Sequence, residues 1–120
     1  MGVQKYEDLI VWQKAMDLVV NIYKIVKLLP DEERYTLSDQ MKRAALSIPS
    51  NIAEGQERNT TKDFVKFLHI AKGSRSELET QLLLCIRLNY LTQEQAETAQ
   101  NLLTEIGKML HSLVQKLAKG

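Results

Sequence analysis

Arg43-Ala44-Ala45-Leu46-Ser47-Ile48-Pro49-Ser50-Asn51-Ile52-Ala53-Glu54-Gly55 reads as an amphipathic helix with a proline in its interior. Leu37, Met41, Ala44, Ala45, Ile48 and Ile52 hold one helical phase on both sides of Pro49. A proline there removes the bond to the Ala45 carbonyl and costs about 3 kcal/mol. A phase that survives it predicts a helix that bends and continues. Ser47 and Ser50 are placed to help satisfy carbonyls freed by the bend. Gly55 falls on the same apolar face, where a bare backbone lets another helix approach closely.

Punctuation on either side of this stretch divides the chain into four helical segments. The first runs from about Asp8 to Leu29 and stops at Pro30, and Asp31-Glu32-Glu33-Arg34 can form a short helical turn. The second spans about Thr36 to Gln56. The third starts at Asn59 or Thr60, with Thr60 and Asp63 as an N-terminal cap, and ends near Asn89, which tolerates left-handed geometry. The fourth starts at Thr92, where Thr92 and Gln95 form a capping box, and runs to about Ala118. No strand pattern competes. Long helices with short connections predict an all-α, up-down-up-down four-helix bundle, one domain over residues 1–120.

The fourth segment has the cleanest seam. Ala96, Ala99, Leu103, Ile106, Leu110, Leu113 and Leu117 alternate steps of three and four, as in coiled-coil packing. The first segment carries two apolar stripes. Leu9, Trp12, Met16, Val19, Tyr23 and Val26 form one, and Leu18, Ile22, Ile25 and Leu29 the other. Two faces imply either deep burial or a second partner. The excess predicts an oligomer interface through Trp12, Leu18, Ile22, Ile25 and Leu29, the alternative being that Tyr23 and the valines only cap the core edge.

Composition narrows the function classes. The 16 Lys and Arg against 15 Asp and Glu give a formal net charge of +1, too balanced to identify a nucleic-acid binder by charge alone. Cys85 is the single cysteine, so no intrachain disulfide framework exists and a reducing cytoplasm fits. The N-terminus lacks the layout of a signal peptide, and no apolar run approaches the ~20 residues of a membrane span. His69 and His111 follow Lys66 and Lys108 by three positions, so the Glu-x-x-His signature of di-iron bundles is missing. Zinc and phosphate-loop motifs are missing too, and no enzymatic activity, metal or cofactor is expected. Gly73 and Gly107 read as packing positions, Cys85 as a buried core thiol, His69 as solvated, and Trp12 as a core or interface anchor.

Charge is nevertheless sorted on two helices. Lys62, Lys66, His69, Gly73, Ser76, Thr80 and Arg87 share one side of the third segment, with no acid among them. Arg43, Ser47, Ser50, Glu54 and Arg58 form a polar line on the second, with Glu54 and Arg58 spaced for an ion pair. One such face alone is ordinary solvated surface. Repeated around an oligomer it becomes a broad positive field able to hold a polyanion, with Arg43, Arg58, Lys62, Lys66 and Arg87 as the phosphate contacts.

Leu9 with Trp12, Lys14 and Ala15; Gln40 to Ala45; Ser47-Ile48-Pro49 followed by Asn51-Ile52-Ala53-Glu54-Gly55; Phe64 to Leu68; and Ala71 to Leu78 together make the chain resemble a known family. It is similar to the bacterial 23S ribosomal RNA intervening-sequence proteins, whose fold the accessory variability determinants of diversity-generating retroelements share. The Ser-Ile-Pro-x-Asn-Ile-Ala-Glu-Gly string is the specific part, and Lys42 stands where the family pattern often has arginine. The resemblance implies an up-down bundle assembled into a ring, five subunits being the expectation. In the retroelement relatives the ring is positively charged, binds nucleic acid and associates with a reverse transcriptase. Two expectations follow for this chain. One is a non-enzymatic, homo-oligomeric, cytoplasmic protein that binds RNA or DNA through basic helix faces. The other is a protein-interaction scaffold, for example for a reverse transcriptase, without nucleic-acid contact.

Overall fold

The computed structural model describes residues 5–119, apart from the side chain of Asp8; the N-terminal reading on Met1 to Gln4 lies outside them. Four α-helices account for most of those residues: α1 (Ile10–Val26), α2 (Leu37–Gln56), α3 (Thr61–Arg87) and α4 (Gln93–Lys119). Short 3-10 turns at Tyr6–Asp8 and Asp31–Glu33 precede α1 and α2. Each helix packs on its neighbours in the order α1, α2, α3, α4 and back to α1. The diagonal pairs do not meet, as an antiparallel up-down-up-down bundle requires. The molecule measures 49 × 23 × 19 Å.

Local chemistry sets the ends of these helices. The Thr60 hydroxyl accepts from the Asp63 N–H at 3.1 Å. Thr92 and Gln95 cap each other, with the Gln95 N–H donating to Thr92 Oγ1 and the Thr92 N–H to Gln95 Oε1. Asn89 takes φ 62° beyond the end of α3. The Tyr90 N–H reaches back to the Cys85 carbonyl and the Asn89 N–H to that of Ile86, which together close a Schellman motif.

The start of α2 is capped differently. The Thr36 hydroxyl, instead of capping its own helix, donates to Glu33 Oε1 at 2.6 Å. The Tyr90 hydroxyl donates to Glu33 Oε2 at 2.9 Å. These two bonds, with a third from the Leu37 backbone, hold the Glu33 carboxyl below the usual range against the opposing effect of desolvation. One carboxylate thus ties the α1–α2 connection to the α3–α4 turn.

α2 runs unbroken through Pro49, which is itself buried. Among the described residues Ser50 makes no side-chain hydrogen bond; Asn51 makes the local one, to a carbonyl that Pro49 does not free. Its side-chain amide donates to the Ser47 carbonyl at 2.7 Å and to Ser47 Oγ at 2.9 Å. The Ser74 hydroxyl of α3 donates to the same Ser47 Oγ at 2.8 Å. Eight residues further on, Gly55 lies against α3. A Cβ there would stand 2.8 Å from Phe67 Cβ and 3.3 Å from the Phe64 carbonyl oxygen. The close approach read from the sequence is therefore real. Gly73 is different, because a Cβ there would meet nothing within 4 Å and packing does not require the glycine.

Every helix contributes to the core. Leu18, Ile22, Ile48, Ile52, Leu78, Leu82, Leu103 and Ile106 have no exposed surface. Each such side chain contributes about 1.5–3 kcal/mol by burial. The α4 seam is buried from Ala96 to Leu110, whereas Leu113 and Leu117 are only partly covered where α4 runs on toward its end. Cys85 is fully buried with its sulfur 3.6 Å from the Met41 sulfur, and burial, helped by the Glu33 charge, pushes its thiol up to about 11.

The interface residues expected on α1 need correction. Leu18 and Ile22 have no exposed surface, and Ile25 and Leu29 keep 4% and 6%. They close the chain's own core and are unavailable to a second subunit. The physical reason is that α1 packs on both α2 and α4, so it buries a face wider than one stripe. Trp12 is half-buried, its ring edge-on to Tyr6 with centroids 5.4 Å apart. The large apolar side chains left exposed on α1 are Ile10, Met16, Val20 and Tyr23, by 59%, 42%, 55% and 39%.

Candidate nucleic-acid interface

Three of the five expected phosphate contacts come together where α2 gives way to α3. Arg58 lies in the turn, Lys62 in the first turn of α3 and Lys66 one turn further, about 6 Å along the axis. Lys62 and Lys66 are exposed and form no ion pair among the described residues. Arg58 pairs with Glu54 at 2.7 Å, and its guanidinium lies 4.7 Å from the Phe67 ring centroid. That stacking holds the planar group in place while leaving the side chain 45% exposed. The N-terminus of α3 adds a partial positive charge beside Lys62, offset in part by Asp63.

Arg43 and Arg87 lie elsewhere. Arg43 pairs with Asp39 at 2.9 Å, fifteen residues before Arg58 and so about 22 Å away along α2. Arg87 is the last residue of α3, about 37 Å along the axis from Lys62. The polar line expected on α2 is interrupted as well, because Ser47 turns inward to Ser74.

Two neighbours of the Lys62 region were not evident from the sequence. Lys116 of α4 lines the same cleft as Arg58, Asn59, Thr61 and Phe64, with a volume of about 370 Å³. A second cleft of about 490 Å³ between α3 and α4 is lined by Lys72, Arg75, Lys108 and His111, with Ser76 and Glu79. Lys72 lies ten residues beyond Lys62, about 80° round the helix, so it extends the cationic side toward α4. Arg75 crosses to α4 over Gly107, where a Cβ would sit 3.0 Å from its Nε. Its guanidinium donates to the Leu103 carbonyl at 3.2 Å and pairs with Glu79 at 3.4 Å. Gly107 was thus a sequence signal for close approach, but of a side chain and not of a backbone. The arrangement offers exposed ammonium groups and one stacked guanidinium, which suits phosphate binding by charge.

Comparison with known proteins agrees with this architecture. A crystal structure of a protein of unknown function from the S23 ribosomal protein family of Bacteroides thetaiotaomicron superposes with a TM-score of 0.81 at 36% identity. The match covers 88% of this chain and 98% of that one. No curated protein matches the chain. The profile of the 23S rRNA-intervening sequence proteins matches residues 7–112, which takes in α1, α2, α3 and most of α4, and the chain belongs to that family.

Proposed function

We propose that the protein is a non-enzymatic, cytoplasmic, homo-oligomeric accessory protein that binds nucleic acid through the α2–α3 end of its bundle. The observation that supports this best is the pair Lys62 and Lys66, without an ion pair among the described residues and within two turns of the stacked Arg58, whose cleft Lys116 also lines. Membership of a family named for 23S rRNA intervening sequences favours RNA as the polyanion. A ring of five subunits, as the resemblance implies, multiplies this modest charge into a continuous field.

Lys62→Glu with Lys66→Glu should leave the fold intact, weaken binding of structured RNA strongly and flatten its salt dependence. Lys24→Glu with Arg87→Glu, at the opposite end, is the charge-matched control; Lys116 is unsuitable because it lines the Arg58 cleft. Equal weakening by both pairs would mean that only net charge matters.

A second reading, a scaffold for a protein partner such as a reverse transcriptase, draws support from the exposed Met16, Val20 and Tyr23. It predicts no RNA retention even at low salt.

A further inference from the structure

A cleft of about 330 Å³ lies where α1 leads into α2, at the end of the bundle away from Lys62. Lys27, Arg34 and Lys42 line it, with one carboxylate, Asp31. None of the three cations has an ion-pair partner among the described residues, in contrast to Lys14, Arg43, Arg58 and Arg75. The Lys42 ammonium stands 5.2 Å from the Tyr23 ring centroid, so the aromatic face holds it at the mouth of the cleft. Three cations against one acid leave the cleft with two excess positive charges.

Ser38 supplies an independent observation. It lines the same cleft, is only 8% exposed, and makes no side-chain hydrogen bond to any described residue. The hydroxyl oxygen itself keeps contact with solvent, so it is open to the cleft and free to donate to a ligand oxygen there. Ser38 also belongs to the first turn of α2, a helix of 20 residues with no hydroxyl cap from Thr36. The Leu37 N–H is taken by Glu33. Those of Ser38 and Asp39 fall in the turn that has no intrahelical acceptors, at the positive end of the helix dipole.

We propose that this corner is an oxyanion site that takes a phosphate group. Arg34, Lys27 and Lys42 supply the charge, and the Ser38 hydroxyl supplies a short-range donor. The two excess charges match a phosphate dianion. The site is independent of the Lys62 region, so either can fail without the other.

Calorimetric titration of the full chain with inorganic phosphate at constant ionic strength tests it. Saturable binding is expected, with a Kd on the order of 1 mM. Arg34→Gln with Lys42→Gln should weaken it about tenfold or more, because charge-assisted hydrogen bonds are lost. Ser38→Ala should weaken it severalfold without lowering the melting temperature, since the hydroxyl it removes has no partner in the free protein. Lys62→Gln with Lys66→Gln should leave phosphate binding unchanged. Absence of saturation at tens of millimolar, or equal affinity in the Arg34→Gln, Lys42→Gln protein, would overturn the proposal. The same double variant, titrated with a single-stranded RNA, identifies the source of the phosphate. Weakened RNA binding would assign the site to a backbone phosphate, and unchanged RNA binding to a free phosphate or small phosphomonoester; either result leaves the site standing.

Discussion

The seam between α2 and α3 and the seam between α1 and α4 are built in opposite ways. Along the first, Met41 meets Cys85, Ser47 meets Ser74 and Gly55 meets Phe67, so contact continues from one end to the other. Small residues on α2 bring the backbones together, and the Ser47, Asn51 and Ser74 side chains are bonded to one another, although Gln81 Oε1, a heptad beyond Ser74 on α3, is buried without a partner. The second seam leaves an open cleft of about 430 Å³ lined largely by polar side chains, among them Asp17, Asn21, Thr98 and Glu105. There Asn21 Oδ1 is buried without a hydrogen-bond partner, and a Lys14–Glu105 ion pair at 2.6 Å bridges the helices near the surface. Both seams close the same core. The tight one relies on shape, with little tolerance for added atoms; the loose one relies on apolar burial below a polar margin that can be altered.

The largest expected effect comes from breaking the tight seam at its closest point. Gly55→Val must push aside Phe67 Cβ and the Phe64 carbonyl, and backbone cannot yield as a side-chain tip would. Urea unfolding should show a loss of about 3 kcal/mol. A loss below about 0.5 kcal/mol would mean that the helices separate freely and that the seam is not set by shape. Removing a polar contact in the same seam should cost less. Ser74→Ala leaves Ser47 Oγ with Asn51 alone, and about 1 kcal/mol should be lost, measured in the same way.

Acid probes the Glu33 ties between the two inter-helix connections, which neither seam supplies. Glu33 titrates below its ordinary value of 4.5 in the folded protein. Its contribution is therefore fully present above about pH 4.5 and disappears as the pH falls through the lowered folded value. Tyr90, raised above 10.0 first by its bond to Glu33, behaves in the opposite sense, its share being lost as the pH rises through the raised value. Melting curves of the wild type and Glu33→Gln should therefore differ at pH 7 and draw together as the pH falls below 4.5; a gap that stays constant as the solution is acidified would refute this. The smallest effect belongs to the loose seam. Lys14→Ala should change stability by about 0.5 kcal/mol or less, because its side chain and that of Glu105 are 30% and 47% exposed. A larger loss would show the α1–α4 margin to be as exacting as the α2–α3 contact.

Features with a local cause were legible in the sequence. The Thr60 cap, the Thr92–Gln95 box and the turn at Asn89 each depend on residues a few positions apart, and each is present. The helical phase through Pro49 and the close approach at Gly55 could be read for the same reason. The rotation of α1 could not. Helical periodicity shows that two stripes are apolar, but which of them turns inward depends on where α2 and α4 lie. For that reason Leu18 and Ile22 read as interface and proved to be core, while the outer apolar surface includes Val20, which belongs to neither stripe. The candidate site divides along the same line. Lys62 and Lys66 share a face by helical spacing, but the nearness of Lys116 to Arg58 joins residues 58 positions apart, and no pattern within one helix encodes it.

The lone thiol has one more consequence. Cys85 has no exposed surface, lies against Met41 at one end of the tight seam, and ionises only near pH 11. An alkylating reagent at neutral pH therefore meets an unreactive sulfur until the helices part. Its labelling rate counts openings of the bundle, without any introduced probe. At reagent concentrations where closing outpaces alkylation, the rate relative to a free thiol gives the equilibrium constant for opening; where alkylation outpaces closing, it gives the opening rate itself. The chain thus carries its own clock for the seam that holds it together.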